Sequence, residues 1–122
     1  MGSLVGEQFA RAMTAKDGER IRELLAPSIS FMGMTPSAIR VADTPDGVVD
    51  IVNDWFGQGD DVVNLERLDT DSFADRERVG YRVRVITDDG PHLVDQTAYL
   101  SLEDGQITWL RIMCAGYRPT DD

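Results

Sequence analysis

The chain has one cysteine, one histidine, one lysine (Lys16) and no long apolar run, and each scarcity removes a class of function. A single thiol, Cys114, forbids an internal disulfide and any zinc site built on several cysteines. With His92 as the sole imidazole, a metal would have to rely on carboxylates. No metal and no other cofactor is expected. No stretch reaches the roughly 18 apolar residues of a membrane span. Residues 1–16 lack the basic-then-apolar layout of a signal peptide. The expectation is a soluble, cytoplasmic protein with no membrane partner.

Positive charge is also short, with 12 Lys and Arg against 22 Asp and Glu and a formal net charge of -10. Nucleic acid, which is bound by neutralising phosphates with basic side chains, is not an expected partner. The acidic residues Asp60, Asp61, Asp69, Asp71 and Asp75 match no ligand-loop spacing and read as a solvated surface. The eleven arginines beside one lysine are the bias of GC-rich, bacterial coding.

What is present suits one domain spanning residues 1–122: 122 residues with 42% hydrophobic content can fill one core but not two. Leu4, Val5, Phe9, Ala12 and Met13 recur at helical spacing, broken near Lys16-Asp17-Gly18. Asp17 caps a second helix with the stripe Ile21, Leu24 and Leu25, stopped by Pro27. A short strand is expected in "SISFMGM". Thr44-Pro45 starts a third helix whose buried face is Val48, Ile51, Val52, Trp55 and Phe56, ended by Gly57 and Gly59. From Asp61 the period becomes two, which predicts strands near 62–74, 77–88, 92–102 and 106–115. Helices followed by an antiparallel meander make an α+β fold, the helices lying on one face of a curved sheet.

Turn chemistry then sets the faces. A two-residue turn at Asp89-Gly90 would pair Val85 with Val94, Val83 with Gln96, Tyr81 with Ala98, Arg84 with Asp95 and Gly80 with Tyr99. In "LEDGQI", a three-residue loop with Gly105 left-handed would pair Leu100 with Thr108, Ala98 with Leu110, Gln96 with Ile112 and Val94 with Cys114. A two-residue turn there would set Ala98 against Arg111, so the longer loop is preferred. One face then carries Val79, Tyr81, Val83, Val85, Val94, Gln96, Ala98, Leu100, Leu110, Ile112 and Cys114. The other shows Tyr99, Trp109 and Met113 among Arg82, Arg84, Thr97 and Arg111, an aromatic surface that suggests a homodimer face.

The order of "FARAMTAKDGERIRELLAPSISFMG", "DRERVGYRVRV", the "LEDGQI" hairpin and the terminal "CAGYRP" resembles the SnoaL-like bacterial branch of the nuclear transport factor 2-like superfamily. The resemblance spans residues 5–119. It implies a cone: three N-terminal helices packed on a strongly curved antiparallel β-sheet around an apolar pocket. Such pockets serve isomerisation, hydrolysis, cyclisation, dehydration or plain binding, so fold does not give function. Steroid isomerases of the fold need a carboxylate base, a tyrosine donor and a second acid where this chain aligns Gly33, Phe9 and Ala98. Epoxide hydrolases need an inward Asp-Arg-Asp relay, but Arg82 and Arg84 face outward. Aldol cyclases use an acid on the last strand, where Leu110, Ile112 and Cys114 stand. No catalytic residue can be named.

Cys114, with apolar neighbours and no imidazole, reads as a pocket wall rather than a nucleophile. Gln96 must hydrogen-bond either Tyr81 and backbone groups or a ligand. His92 reads as a solvated turn histidine. Trp55 and Phe56 are first of all core, with Trp55 secondarily a pocket lid. Arg118 in "GYRP" is assigned a structural role, on a neighbour's carboxy end or a helix terminus, ahead of substrate binding. The sequence thus points to a small-molecule-binding domain for an apolar ligand, its pocket lined by Phe9, Met13, Phe31, Trp55, Tyr81, Gln96, Leu110 and Cys114. The alternatives are a cyclase, isomerase or hydrolase using a loop acid or base such as Asp43 or His92, and a structural dimerisation module.

Overall fold

Apolar spacing and capping place the helices in the computed structural model, which describes residues 4–56 and 61–120. Helix α1 (Val5–Thr14) buries Phe9, Ala10, Ala12 and Met13 on one side. Asp17 then accepts the Arg20 N–H at 3.1 Å and starts α2 (Gly18–Leu24), which buries Ile21 and Leu24. After the strands β1 (Leu25–Met34) and β2 (Ile39–Ala42), the Thr44 hydroxyl accepts the Gly47 N–H at 3.1 Å and opens α3 (Pro45–Phe56). That helix buries Val48, Val49, Ile51, Val52 and Phe56. Its expected stop at Gly57 and Gly59, like Asp60, lies outside the described residues.

The meander follows as β3 (Asp61–Phe73), β4 (Arg76–Thr87), β5 (Gly90–Glu103) and β6 (Gln106–Pro119). The described strands form one sheet in the order β2-β1-β6-β5-β4-β3, antiparallel except where β1 runs parallel to β6. The helices pack on its inner face, which carries the eleven residues expected there, all buried. Strand β1 begins three residues before the expected "SISFMGM", because Leu25 already pairs with Ile107, and Pro27 is taken into the strand at an exposed position.

Both hairpin registers differ from expectation by a two-residue slide of partners that leaves the faces intact. In the first, Asp88 and Asp89 form the tip and Gly90 pairs with Thr87, because the Thr87 hydroxyl accepts the Asp89 N–H at 3.1 Å and fixes the turn one residue earlier. Tyr81 therefore faces Gln96, Val83 faces Val94, and Arg82, not Arg84, faces Asp95. Gly80 lies beside Thr97 instead of Tyr99, and the Asp69–Arg78 ion pair, 2.7 Å, covers it.

In the second hairpin the turn has two residues, Asp104 at φ 52° and Gly105 at φ 80°, the left-handed pair that suits a tight hairpin. The feared clash of Ala98 with Arg111 is avoided by a bulge: Leu102 pairs with Ile107 but Ser101 with Trp109, so Thr108 is the extra residue. Ala98 then meets Ile112 and Arg111 stays on the outer face. A second irregularity separates the Gln96–Cys114 and Val94–Tyr117 pairs, absorbing Ala115 and Gly116. Gly116 has φ 93°, a conformation that favours glycine, and a Cβ there would make a tight 3.1 Å approach to Pro36 Cγ.

Among the described residues no helix is long and apolar enough to cross a membrane.

Candidate functional site

The bulge at Ala115–Gly116 bends the end of β6 toward the β1–β2 turn, and between them opens a cleft of about 620 Å³. Its walls are the turn Thr35–Ala38, Arg40, the end of α3 at Asp54 and Trp55, and Cys114–Arg118. The rim is tied together locally. The Thr35 hydroxyl accepts the Ala38 N–H at 3.2 Å, Arg40 pairs with Asp54 at 3.0 Å, and the Tyr117 hydroxyl donates to the Trp55 carbonyl. These contacts join strand, helix and turn into one frame that holds the cleft open.

The eight pocket residues expected from sequence divide between this cleft and the interior behind it. Trp55 and Cys114 line the cleft. Phe9, Met13, Phe31, Tyr81, Gln96 and Leu110 lie deeper and belong to the buried set. Phe31 pairs with Leu110 across β1 and β6, and its ring lies 6.3 Å from that of Trp55. Trp55 covers Gly33, with indole atoms where a side chain at that position would begin.

Within the interior one polar pair stands out. The Tyr81 hydroxyl donates to Gln96 Oε1 at 2.6 Å and lies 4.0 Å from Met13 Sδ. Burial, with a smaller push from the charge Cys114 would carry when ionised, holds the Tyr81 pKa well above its ordinary value. Tyr81 thus stays a neutral hydrogen-bond donor. Gln96 is 3% exposed, yet its Nε2 is buried without an acceptor among the described residues. Gln96 and Cys114 are cross-strand partners on the inner face, and Cys114 lines the cleft, whereas the hollow that Gln96 and Tyr81 themselves line is a separate one of about 90 Å³. Cys114 is buried, and its Sγ accepts the Gly116 N–H at 3.4 Å.

The loop groups held in reserve as acid or base lie elsewhere. Asp43 lines a separate hollow of about 510 Å³ with Arg111 and Met32. His92 sits at the β4–β5 tip, with Nδ1 2.8 Å from the Gly90 carbonyl and its ring 6.3 Å from Tyr117. Arg118 lines the cleft and pairs with Leu93 in the β5–β6 ladder, while its side chain has no hydrogen-bond or ion-pair partner among the described residues. Among the described residues no group of three or more His, Cys, Asp and Glu is placed to hold a metal ion. The rim segments 35–38 and 115–118 were missed in the sequence as site elements. The signals available were Gly116 and Pro36, which make the close approach.

No protein-family model matches the sequence, and no curated protein does either. Solved structures do. A proposed isomerase from Rhodopseudomonas palustris superposes with a TM-score of 0.75 at 14% identity, over 93% of this chain and 91% of that one. A hypothetical protein of ketosteroid isomerase-like fold from Catenulispora acidiphila, in complex with trimethylamine, gives 0.72 at 10% identity, over 92% and 85%. A proposed SnoaL-like polyketide cyclase from Mesorhizobium loti gives 0.62 at 10% identity, over 88% and 94%. At such identities the likeness speaks to architecture, and with the helices, sheet and topology above it establishes that this chain has the nuclear transport factor 2-like cone fold.

Proposed function

We propose that the protein binds a small, largely apolar molecule in the cleft at the open end of the cone, with Tyr81 and Gln96 as polar handles behind its wall. The observation that carries this reading is the buried Gln96 Nε2 without an acceptor, one strand away from Cys114 of the cleft. A buried amide donor left unpaired costs about 1–3 kcal/mol, so a retained one needs a compensating partner. A ligand carbonyl entering past the small Cys114 side chain supplies it. Cleft size supports the reading as well, since about 620 Å³ falls in the range of small-molecule sites. One solved neighbour was captured with trimethylamine, which is consistent with this fold serving as a receptacle. Phe9, Met13, Phe31 and Leu110 form the apolar backing in this proposal, and Trp55 forms the movable wall.

The test is a thermal-shift screen of flat neutral ketones against wild type and Gln96→Leu. The reading expects at least one ketone to raise the wild-type melting temperature and to lose that effect in the variant. No shift with any compound would overturn it.

We further propose that the outer sheet face pairs two copies of the chain. Ile39 and Val41 are each 66% exposed and Met113 61%, and the registers place Ile39, Met34 and Met113 in one row and Val41, Met32, Arg111 and Tyr99 in the next. Trp109, expected to anchor this face, is already covered by Arg76 at 3.7 Å and Arg111 at 4.6 Å. Methionine and β-branched side chains therefore supply the contact in this proposal, with Tyr99 at its edge.

A further inference from the structure

Ten of the eleven arginines are engaged in the structure: by a carboxylate in Arg11, Arg20, Arg22, Arg40, Arg67, Arg78, Arg82 and Arg84, and by a hydroxyl or carbonyl together with the Trp109 ring in Arg76 and Arg111. Arg118 alone has no such partner among the described residues. In a chain with 22 acidic residues and a net charge of -10, a guanidinium unclaimed among the described residues is the exception, and it stands on the wall of the cleft of about 620 Å³. Ser37, on the opposite rim, is likewise without a hydrogen-bond partner among the described residues, whereas the hydroxyls of Thr35 and Tyr117 are engaged.

We propose that the cleft takes a molecule with a flat apolar body and a carboxylate head, the body against Trp55 and Pro36 and the carboxylate on Arg118 with Ser37 as a second donor. The inference rests on the binding function proposed above and names its ligand class. A planar guanidinium matches a carboxylate edge to edge and holds it through two parallel hydrogen bonds. The acid in the same cleft, Asp54, is offset by Arg40 at 3.0 Å and so does not cancel the attraction of Arg118 for an anion. A doubly charged phosphate is disfavoured, because among the described residues one unpaired cation would face it inside a strongly acidic chain. An amine would need a free carboxylate, and Asp54 is taken.

The experiment is a calorimetric titration of the intact protein with 2-naphthoate, 2-naphthamide and 2-naphthylmethylamine, repeated on Arg118→Gln after its melting temperature has been shown to be unchanged. Naphthoate should bind about tenfold more tightly than the amide, the size of one charge-assisted contact. Arg118→Gln should bring naphthoate down to the amide's affinity and leave the amide where it was. Added salt should weaken the acid and spare the amide. Equal affinities for acid and amide in wild type, an equal loss of both in the variant, or tightest binding of the amine would overturn the carboxylate assignment and leave the binding function standing. Binding by neutral ketones with none by the three naphthyl probes would do the same, whereas silence from every compound in both experiments would overturn the two together.

Discussion

The indole of Trp55 lies across Gly33, so that a Cβ at position 33 would stand 2.5 Å from Cη2 and 2.7 Å from Cζ2. The rim of the cone is thus filled by a residue of α3 at the place where the resemblance aligns an isomerase's base. Such contacts are too close to keep, and the atoms that must yield are the far edge of a side chain on the cleft wall. Gly33→Ala should therefore fold with a loss of about 1–3 kcal/mol, as overpacking costs, and should push the indole outward. Fluorescence in a Trp109→Phe background checks this: emission should shift to the red, and unchanged emission would contradict the packing described.

The pair of Tyr81 and Gln96 should behave as a unit. Tyr81→Phe removes the donor to Oε1 and leaves more of the amide unpaired, at about 1–3 kcal/mol. Gln96→Leu removes the amide but strips the tyrosine hydroxyl of its acceptor. The double variant removes every polar group of the pair and should be at least as stable as either single one, giving a coupling of about 1 kcal/mol or more in denaturant titrations. Simple additivity would show that the hydrogen bond carries no weight.

Alkaline stability follows from the same tyrosine. Its folded pKa is raised by burial, whereas the unfolded chain releases that proton near pH 10. Above that pH the unfolded state binds fewer protons than the folded one, so this group's contribution is complete below about pH 10 and declines as pH climbs toward the folded pKa. The melting temperature of wild type should fall faster between about pH 9.5 and 11 than that of Tyr81→Phe. Parallel curves would mean that Tyr81 ionises as freely folded as unfolded.

For the outer face, a variant combining Val41→Glu with Met113→Lys should sediment as a folded monomer while wild type sediments as a dimer. A charge at each exposed apolar site removes the surface that association would bury. Wild type sedimenting as a monomer at tens of micromolar would dismiss the proposed pairing.

Much of this architecture is legible in the sequence because strand parity is robust. Both hairpins slid by two residues, and a slide of two returns every side chain to its own face, so the buried set Val79 to Cys114 came out whole. What alternation cannot show is a bulge. Thr108 and the Ala115–Gly116 pair interrupt the ladder without interrupting the apolar pattern, and the second of them shapes the cleft. Strand β2 escaped notice for another reason: it is four residues long, and its alternating Ile39 and Val41 point outward. That the Arg118 side chain has no partner among the described residues could not be read in the sequence, because it emerges only once the partners of the other arginines are known.

The central claim, that the cleft and the unpartnered Gln96 amide form one binding site, is tested most directly by nitrogen–proton correlation spectra of the labelled protein titrated with 2-acetonaphthone, a flat neutral ketone. The Gln96 side-chain amide is assigned by its disappearance in Gln96→Leu. The account predicts that this amide pair, the Trp55 indole N–H and the backbone amides of Ser37, Ala38 and Cys114–Tyr117 shift together along one saturation curve. Saturable shifts confined to other regions, or a Gln96 amide that stays in place while the rim moves, would contradict it.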